Sequence, residues 1–268
     1  MRNIKLVIEY DGSCFYGFQK QKNTKLPTVQ GLLEKALERL TGEKIKTASS
    51  GRTDTGVHAL KQVTTFKTSC TKSIEEIKAA LNALCKDKIA IKSCEDVPPR
   101  FHARFTAVSR TYRYYILNRS QKLCIGSSYV YHFRKKLDLE LMRKGGAYFV
   151  GEKDFLGISS CIKETTVSIR KVFNVNVYAG TEFIDKYGSI DIPSRGEWLD
   201  DLVIIEIKAS GFLRSMARMM CALLIKIGTL RCPPEEVLFI LEKKNPSLLP
   251  AAVPPHALFL ADVEFGDE

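Results

Sequence analysis

The N-terminal part of the chain alternates between two hydrophobic patterns. Residues 4–10 are apolar at every second position, which is typical of a half-buried strand, whereas residues 29–40 are apolar at spacings of three and four, which is typical of an amphipathic helix. Ser73 followed by Glu76 is a capping-box signature for a second helix. The pattern therefore predicts strand, helix, strand, helix and strand at residues 4–10, 29–40, 63–66, 73–84 and 89–94.

The remainder of the chain continues this mixture. It predicts strands at residues 106–118, 172–178, 202–209 and 257–264, and helices at residues 139–149, 213–227 and 234–243. Residues 179–201 separate two paired strands and are predicted to form a loop that is long for a hairpin. Pro98 and Pro99 mark a boundary. We therefore predict two packed α+β subdomains, residues 1–105 and 106–268, and not a doubly wound nucleotide-binding fold.

The chain is basic, and most of its charge lies in the N-terminal part. Its 268 residues include 41 Lys and Arg against 30 Asp and Glu, a formal net charge of +11. Residues 1–105 contribute +8 of this charge and residues 106–268 contribute +3. Such an excess fits a polyanionic partner, of which nucleic acid is the usual one, and a solvated basic surface has the same composition.

Composition excludes several classes of protein. The chain is 45% hydrophobic, so it can bury a core, which argues against disorder or a disulfide-stapled mini-protein. Its N-terminus has no apolar signal region and no stretch is long enough to span a membrane, so we expect a cytoplasmic protein with eight free, mostly buried cysteines. The sequence contains no zinc-ligand spacing and no phosphate-binding glycine motif.

Residues 49–59 hold the densest group of candidate catalytic side chains. Gly51 and Gly56 bracket Arg52 and Asp54, and His58 follows. Glycines permit tight turns and the close approach of a ligand, and loops of this kind often carry chemistry. The same residues also fit an ordinary Asp-Thr-Gly turn with a salt-bridged arginine.

Asp-Thr-Gly is also the catalytic triplet of aspartic proteases, in which two carboxylates share a proton. This chain has no second Asp-Thr-Gly or Asp-Ser-Gly. A neighbouring guanidinium, that of Arg52, would also keep the Asp54 carboxylate ionised instead of letting it share a proton. The sequence therefore argues against a protease.

A second cluster, residues 109–116, interleaves tyrosine with arginine. On a strand, Tyr112 and Tyr114 share one face, and Arg113 and Tyr115 share the other. Aromatic rings beside arginines suit unstacked nucleobases and the phosphates next to them. A tyrosine-rich strand that packs into a protein core has the same pattern.

A third cluster places arginines at the start of an apolar helix. Arg214 and Arg218 are four residues apart and are predicted to share a helix face. Arg218 is the only charged residue between positions 217 and 225. If that turn is buried, the guanidinium needs a nearby acid or a bound phosphate, and the alternative is that it snorkels to the helix edge.

With these motifs in place, the chain resembles the tRNA pseudouridine synthase A (TruA) family. The resemblance rests on Gly51-Arg52-Thr53-Asp54-Thr55-Gly56-Val57-His58-Ala59, Tyr10-Asp11-Gly12, Tyr16-Gly17-Phe18-Gln19, Phe101-His102-Ala103-Arg104-Phe105, Arg110-Thr111-Tyr112-Arg113-Tyr114, Gly151-Glu152-Lys153-Asp154-Phe155 and Phe212-Leu213-x-x-Met216-x-Arg218. These motifs occur in the family's order along the whole chain. Phe18 stands where Trp is usual, and Ser215 where His or Asn is usual.

The resemblance implies a fold and a set of site residues. The fold is α+β, with two ferredoxin-like (α/β plait) subdomains whose sheets join across a central basic catalytic cleft. Asp54 is the carboxylate that attacks the target nucleoside, at the sugar or at the base, so that uracil detaches, turns and rejoins through carbon. Arg218 keeps that carboxylate ionised. Tyr112 stacks on the flipped base, and Arg52 holds backbone phosphate or fills the space that the base leaves.

The implied reaction is the isomerisation of uridine to pseudouridine at positions 38 to 40 of the tRNA anticodon stem-loop. The resemblance also implies a homodimer that uses no metal and no organic cofactor. Two alternatives stay open: a pseudouridine synthase that acts on another RNA site, and a catalytically inactive tRNA-binding module. The presence of all four implied site residues favours an enzyme, whereas Ser215 and the long segment 179–201 leave the RNA target open.

Overall fold

The computed structural model describes residues 1–160, 167–192 and 196–266. Its strands are β1 Arg2–Tyr10, β2 Ala48–Ser49, β3 His58–Thr68, β4 Ile89–Val97, β5 Ala107–Leu117, β6 Tyr131–His132, β7 Gly151–Asp154, β8 Ile169–Ala179, β9 Leu202–Ala209 and β10 Leu258–Phe265. Its helices are α1 Val29–Thr41, α2 Ile74–Cys85, α3 Leu139–Ala147, α4 Gly180–Tyr187, α5 Met216–Gly228 and α6 Glu236–Lys243. The mixed α+β class is confirmed.

The chain forms two compact units, which differ from the predicted subdomains in one strand. Unit 1 comprises Met1–Arg110 and Phe259–Glu268, and unit 2 comprises Thr111–Leu258. The division falls close to the predicted boundary after residue 105. The predicted second subdomain, residues 106–268, includes the closing strand β10. In the structure β10 pairs with β3, which places it in unit 1.

Unit 1 is built on strands in the order β4-β1-β3-β10, with β2 paired to β3. β1 is antiparallel to both β3 and β4, and Ile4, Leu6 and Ile8 are completely buried. β3 begins at His58, earlier than predicted from its apolar residues, because Phe259 and Leu260 of β10 pair with its first two residues in parallel. The strand predicted at residues 4–10 is confirmed as β1.

Both helices of unit 1 have well-defined caps. The hydroxyl of Thr28 accepts a hydrogen bond from Gly31 N at 3.2 Å at the start of α1, and Gly42, with a φ of 75°, ends the helix. Ser73 and Glu76 form the predicted capping box of α2.

Unit 2 has strands in the order β5-β9-β8-β7, and β6 pairs with β5. α3 packs against β8 and α5. Gly145 lies close to α5 in the α3–α5 contact, where a Cβ would lie 2.7 Å from Ile227 Cδ1. The apolar residues of α5 face this core, and Leu223, Leu224 and Ile227 are completely buried.

The segment predicted as a long loop begins with a helix, α4, whose Phe183 is completely buried. Arg113 on β5 fixes this segment through carboxylates and aromatic rings. Its Nε donates to Glu206 Oε2 at 2.9 Å, it forms an ion pair with Asp191, and its guanidinium lies 4.9 Å from the Phe183 ring and 4.7 Å from the Tyr187 ring. Periodicity missed α4 because its amphipathic stretch is only eight residues long.

Two further expectations concern the whole chain. Within the described residues, no helix has both the length and the apolar character needed to cross a membrane. Seven of the eight cysteines lie in these residues and are free, and three of them, Cys85, Cys94 and Cys221, are buried. Cys161 and residues 193–195 of the predicted long loop lie outside the described residues.

Candidate active site

The loop that carries Arg52 and Asp54 connects β2 to β3 in unit 1, and β3 holds its first residues. Ser50 N donates to Val63 O at 2.9 Å, and the Ser50 hydroxyl bonds to Gln62 Oε1 at 2.7 Å. Gln62 Nε2 in turn donates to Gly51 O at 2.9 Å. Three polar contacts therefore fix the backbone immediately before Arg52.

Arg110 also holds the backbone at Ser50. Its side chain is 8% exposed. Nε and Nη2 donate to Ser50 O at 3.0 and 2.8 Å, and the same guanidinium reaches Arg104 O at 2.8 Å and Ala107 O at 2.9 Å. Because a guanidinium presents its donors in a rigid fork, one side chain sets the relative positions of three backbone segments.

The middle of the loop is held through Thr53. Its hydroxyl lies 2.8 Å from the Tyr10 hydroxyl, and its carbonyl accepts from Phe18 N at 3.1 Å. Gly17 permits this approach with a φ of +74°, since a Cβ at this position would lie 3.0 Å from Thr53 O. Burial raises the pKa of Tyr10 to about 12, so its phenol stays neutral at physiological pH.

The end of the loop returns to β3 through His58. Val57 N donates to Asp54 O at 3.1 Å and closes the turn around Gly56. The Nδ1 atom of His58 lies 3.1 Å from Gly12 N and 3.1 Å from Asp11 Oδ1. The imidazole also stacks on the Phe259 ring at 4.6 Å. His58 therefore fixes the C-terminal side of the loop.

Between these anchors, the Asp54 side chain is partly exposed and Arg52 is exposed. Arg52 forms no ion pair with any other described residue, which differs from the alternative of a salt-bridged turn. The loop thus presents a carboxylate and a guanidinium on a backbone that is held from both sides. This is the arrangement that a catalytic carboxylate requires, since its position must not depend on the ligand.

The other two implied site residues lie in unit 2. Tyr112 is 8% exposed, and its ring meets the Phe212 ring edge-on at 4.8 Å. Arg218 lies in the first turn of α5, partly exposed, and its Nε donates to Val253 O at 2.8 Å. The carbonyl of Val253 thus orients the guanidinium.

The prediction that Arg214 and Arg218 share a helix face is wrong. Ser215 has a φ of +59°, in the left-handed region, and α5 begins only at Met216. Arg214 therefore lies in a turn before the helix. The predicted alternation of the tyrosine-rich strand is confirmed, because Arg113 and Tyr115 both contact Asp191.

Three residues that hold the loop had no predicted role: Arg110, Tyr10 and Gln62. Arg110 and Tyr10 stand in the motifs that carry the family resemblance, but their contacts depend on strands distant in sequence. Across the described part of the chain, no group of three or more His, Cys, Asp or Glu side chains is arranged to hold a metal ion.

A sequence-family model described as tRNA pseudouridine synthase matches residues 6–106 and 147–266. The tRNA pseudouridine synthase A of Caldicellulosiruptor saccharolyticus is 38% identical over 265 residues, which cover 99% of this chain and 100% of that protein. The tRNA pseudouridine synthase A of Geotalea daltonii is 37% identical over 265 residues, covering 98% of this chain and 99% of that protein. A solved chain of a Cbf5-Nop10-Gar1 complex covers 83% of this chain, and this chain covers 45% of it, with 12% identity and a TM-score of 0.31, a likeness too weak to support an argument.

Proposed function

Since this chain belongs to the tRNA pseudouridine synthase family, we propose that it isomerises uridine to pseudouridine at positions 38–40 of the tRNA anticodon stem-loop. The observation that carries this proposal is the loop around Asp54. It lies within the matched residues, its backbone is held on both sides, and its carboxylate is partly exposed.

In this proposal Asp54 is the nucleophile. Attack by the carboxylate, at the sugar or at the base, forms a temporary covalent bond to the nucleoside, and the bond between the sugar and uracil N1 breaks. Uracil turns and rejoins the sugar through C5, and the bond to Asp54 breaks and returns the free carboxylate. The hydrogen on C5 is lost and N1 gains one, so the product is an isomer of the substrate and no co-reactant is consumed. The carboxylate must be ionised to attack, and we assign Arg218 as the cation that favours this state.

The remaining roles concern the RNA. Tyr112 stacks on the uracil after it leaves the RNA helix, and its contact with Phe212 fixes the plane of its ring. Arg52 binds a backbone phosphate or fills the space that the base leaves. Its exposure and its freedom from any ion pair with a described residue support this role.

We also propose that unit 1 is a ferredoxin-like subdomain. Its elements follow the order β1-α1-β2-β3-α2-β4, and its sheet has the order β4-β1-β3 with β2 beside β3, as expected for this topology. The ferredoxin-like form of unit 2, the basic catalytic cleft, the homodimer and the cytoplasmic location stay predictions.

The test is to incubate the purified chain with unmodified tRNA transcripts, without added cofactor or metal, and to map pseudouridine with a base-specific chemical readout. We expect modification at positions 38–40. Asp54→Asn should abolish turnover while changing RNA affinity by less than about threefold, because the amide keeps the shape and removes the nucleophile. Asp87→Asn, at an exposed position in the turn after α2, is the matched control and should behave as the wild type.

Other outcomes would change the proposal in distinct ways. Modification at other uridines would keep the chemistry and move the target. Tight binding without modification would favour the inactive tRNA-binding module. An equal loss of tRNA binding and turnover in Asp54→Asn would contradict the division between a nucleophile and a binding surface.

A further inference from the structure

A groove on unit 1 lies outside the loop that carries Asp54. It is open, has a volume of about 670 Å³, and is lined by residues from β1, β2, β3, the segment before β2 and the segment after β4. Its floor is apolar, because Ile45, Phe66 and Phe101 are buried beneath it. The groove therefore combines a hydrophobic floor with walls made by exposed side chains.

The walls of this groove are cationic. Lys44, Lys46 and Lys67 are exposed and line it. None of the three forms an ion pair with any carboxylate among the described residues. Glu43 also lines the groove, but its carboxylate accepts hydrogen bonds from Ser69 N and the Thr68 hydroxyl, both at 2.9 Å. The three ammonium groups outnumber this one carboxylate, so the groove has an excess of positive charge, which fits a polyanion.

An aromatic platform stands next to this cationic wall. Phe105 is 76% exposed, so its ring contributes little to the hydrophobic core. Its ring lies 4.4 Å from the ring of His102, which lines the groove, and the Arg104 guanidinium lies 5.6 Å from the Phe105 ring.

The backbone holds this platform in place. Phe105 N and Thr106 N both donate to His102 O at 3.0 Å, and the Thr106 hydroxyl donates to the same carbonyl at 2.8 Å. Asn3 Nδ2 donates to Phe101 O at 2.9 Å and ties the segment to β1. An exposed ring on a fixed turn is suited to stacking on an unpaired base, and the neighbouring cations are suited to its phosphates.

The groove and the candidate active site share a strand. Ala48 of β2 lines the groove, and the next residues, Ser49 and Ser50, lead into the loop that carries Asp54. We propose that this groove binds unpaired nucleotides of the substrate RNA flanking the target uridine, with Lys44, Lys46 and Lys67 on phosphates and one base stacked on Phe105. This inference rests on the proposed function, and it adds an RNA-binding surface to the four implied site residues.

The test measures tRNA affinity by filter binding and turnover by pseudouridine mapping, using the full chain. Phe105→Ala should weaken tRNA affinity by roughly 5- to 150-fold, the range for loss of one stacked base, whereas Phe105→Trp should retain it. The Lys44→Ala/Lys67→Ala double variant should lower the slope of log affinity against log salt by about 0.7–0.9 for each phosphate that is no longer neutralised. In both cases KM should rise and kcat should stay close to the wild-type value.

Two matched controls remove comparable side chains elsewhere. Ile125→Ala removes a side chain that is 68% exposed in unit 2, and Lys88→Ala removes an exposed ammonium in the turn after α2. Neither should change affinity or salt slope. Thermal unfolding of each variant checks that a loss of affinity is not a loss of fold.

The outcomes separate this inference from the proposed function. Unchanged tRNA affinity and salt slope in folded groove variants of an active enzyme would overturn the proposed RNA-binding role of the groove and leave the proposed activity intact. If the wild type formed no pseudouridine but the groove variants lost tRNA binding, the proposed reaction would fail and the groove would stand.

Discussion

Two arginines three residues apart on β5, the buried Arg110 and the half-buried Arg113, hold two different segments of the molecule in different ways. Arg110 donates to the carbonyls of Ser50, Arg104 and Ala107 in unit 1. Arg113 is paired with the carboxylates of Glu206 and Asp191 in unit 2. Burial opposes its charge, but these carboxylates more than compensate and raise the pKa of Arg113 above its ordinary value.

The two arginines differ in whether mutation can replace their hydrogen-bond acceptors. The partners of Arg113 are side chains, so a mutation can replace all members of the cluster with apolar residues of similar volume. The three acceptors of Arg110 named above are backbone carbonyls, and no substitution removes a carbonyl. The contact of Arg110 with Ser50, at the start of the loop that carries Asp54, therefore depends on the arginine, whereas the segment around α4 is held by contacts that can be exchanged as a set.

The largest effect should come from Arg110→Met. It leaves the buried carbonyl of Ser50 and the part-buried carbonyls of Arg104 and Ala107 without their charged donor, so we expect the free energy of unfolding to fall by about 3–5 kcal/mol and turnover to be lost. Denaturant unfolding and pseudouridine mapping measure both. Arg110→Lys should fold better but stay impaired in turnover, because one ammonium cannot replace the guanidinium fork. Wild-type activity in Arg110→Lys would show that charge alone holds the loop.

A smaller effect should come from Arg113→Met, and a second substitution should reverse it. The single change leaves Glu206, which is 4% exposed, without its cation, so we expect a loss of about 3 kcal/mol in the free energy of unfolding. The double variant Arg113→Met/Glu206→Met should recover most of this stability, with pseudouridine formation retained throughout. If the second substitution did not recover stability, the contacts of Arg113 would be no easier to replace than those of Arg110.

The smallest effect should come from Tyr10→Phe, which removes the hydroxyl bonded to Thr53 and should cost about 1 kcal/mol at neutral pH. Its pH dependence has a definite sign. Burial raises the pKa of Tyr10 from 10.0 to about 12, so the folded state retains the phenolic proton more strongly than the unfolded state.

The stability that Tyr10 contributes is therefore complete below pH 10 and is lost as the pH rises through 12. The difference in free energy of unfolding between wild type and Tyr10→Phe should shrink over that interval, as measured by urea unfolding at several pH values. A difference that does not change with pH would show that Tyr10 ionises equally in both states.

Local patterns in the sequence predicted most of the strands and helices, because their causes are local. The capping box at Ser73 and Glu76 and the alternation in β1 each depend on a few neighbouring residues. β2, β6 and β7 were not predicted, since each has two to four residues and exists only through its partner strand. The extra length of β3 and the assignment of β10 to unit 1 depend on one pairing between distant parts of the chain.

The candidate site shows the same limit. The residue types in Gly51-Arg52-Thr53-Asp54 made this loop a candidate for chemistry but also fitted an ordinary turn, and the fold places both candidate side chains on one held loop. The residues that hold the loop could not be identified from the sequence, because Arg110 follows Ser50 by 60 positions and Tyr10 precedes Thr53 by 43. The sequence alone offered the tyrosine-rich strand for base stacking and Arg218 as a cation in need of an anionic partner, and the family resemblance supplied the specific roles of Tyr112 and Arg218.

The pairing of β10 with β3 has a consequence for the synthesis of the protein on the ribosome. The first two residues of β3, which follow the loop that carries Asp54, have Phe259 and Leu260 as neighbours. At roughly 5–20 residues per second, the roughly 150 residues between Arg110 and Phe259 take about 7 to 30 seconds to synthesise. Throughout that interval the first two residues of β3, next to the loop that carries Asp54, lack their partner strand, and an unpaired strand edge of this kind is open to pairing with another chain.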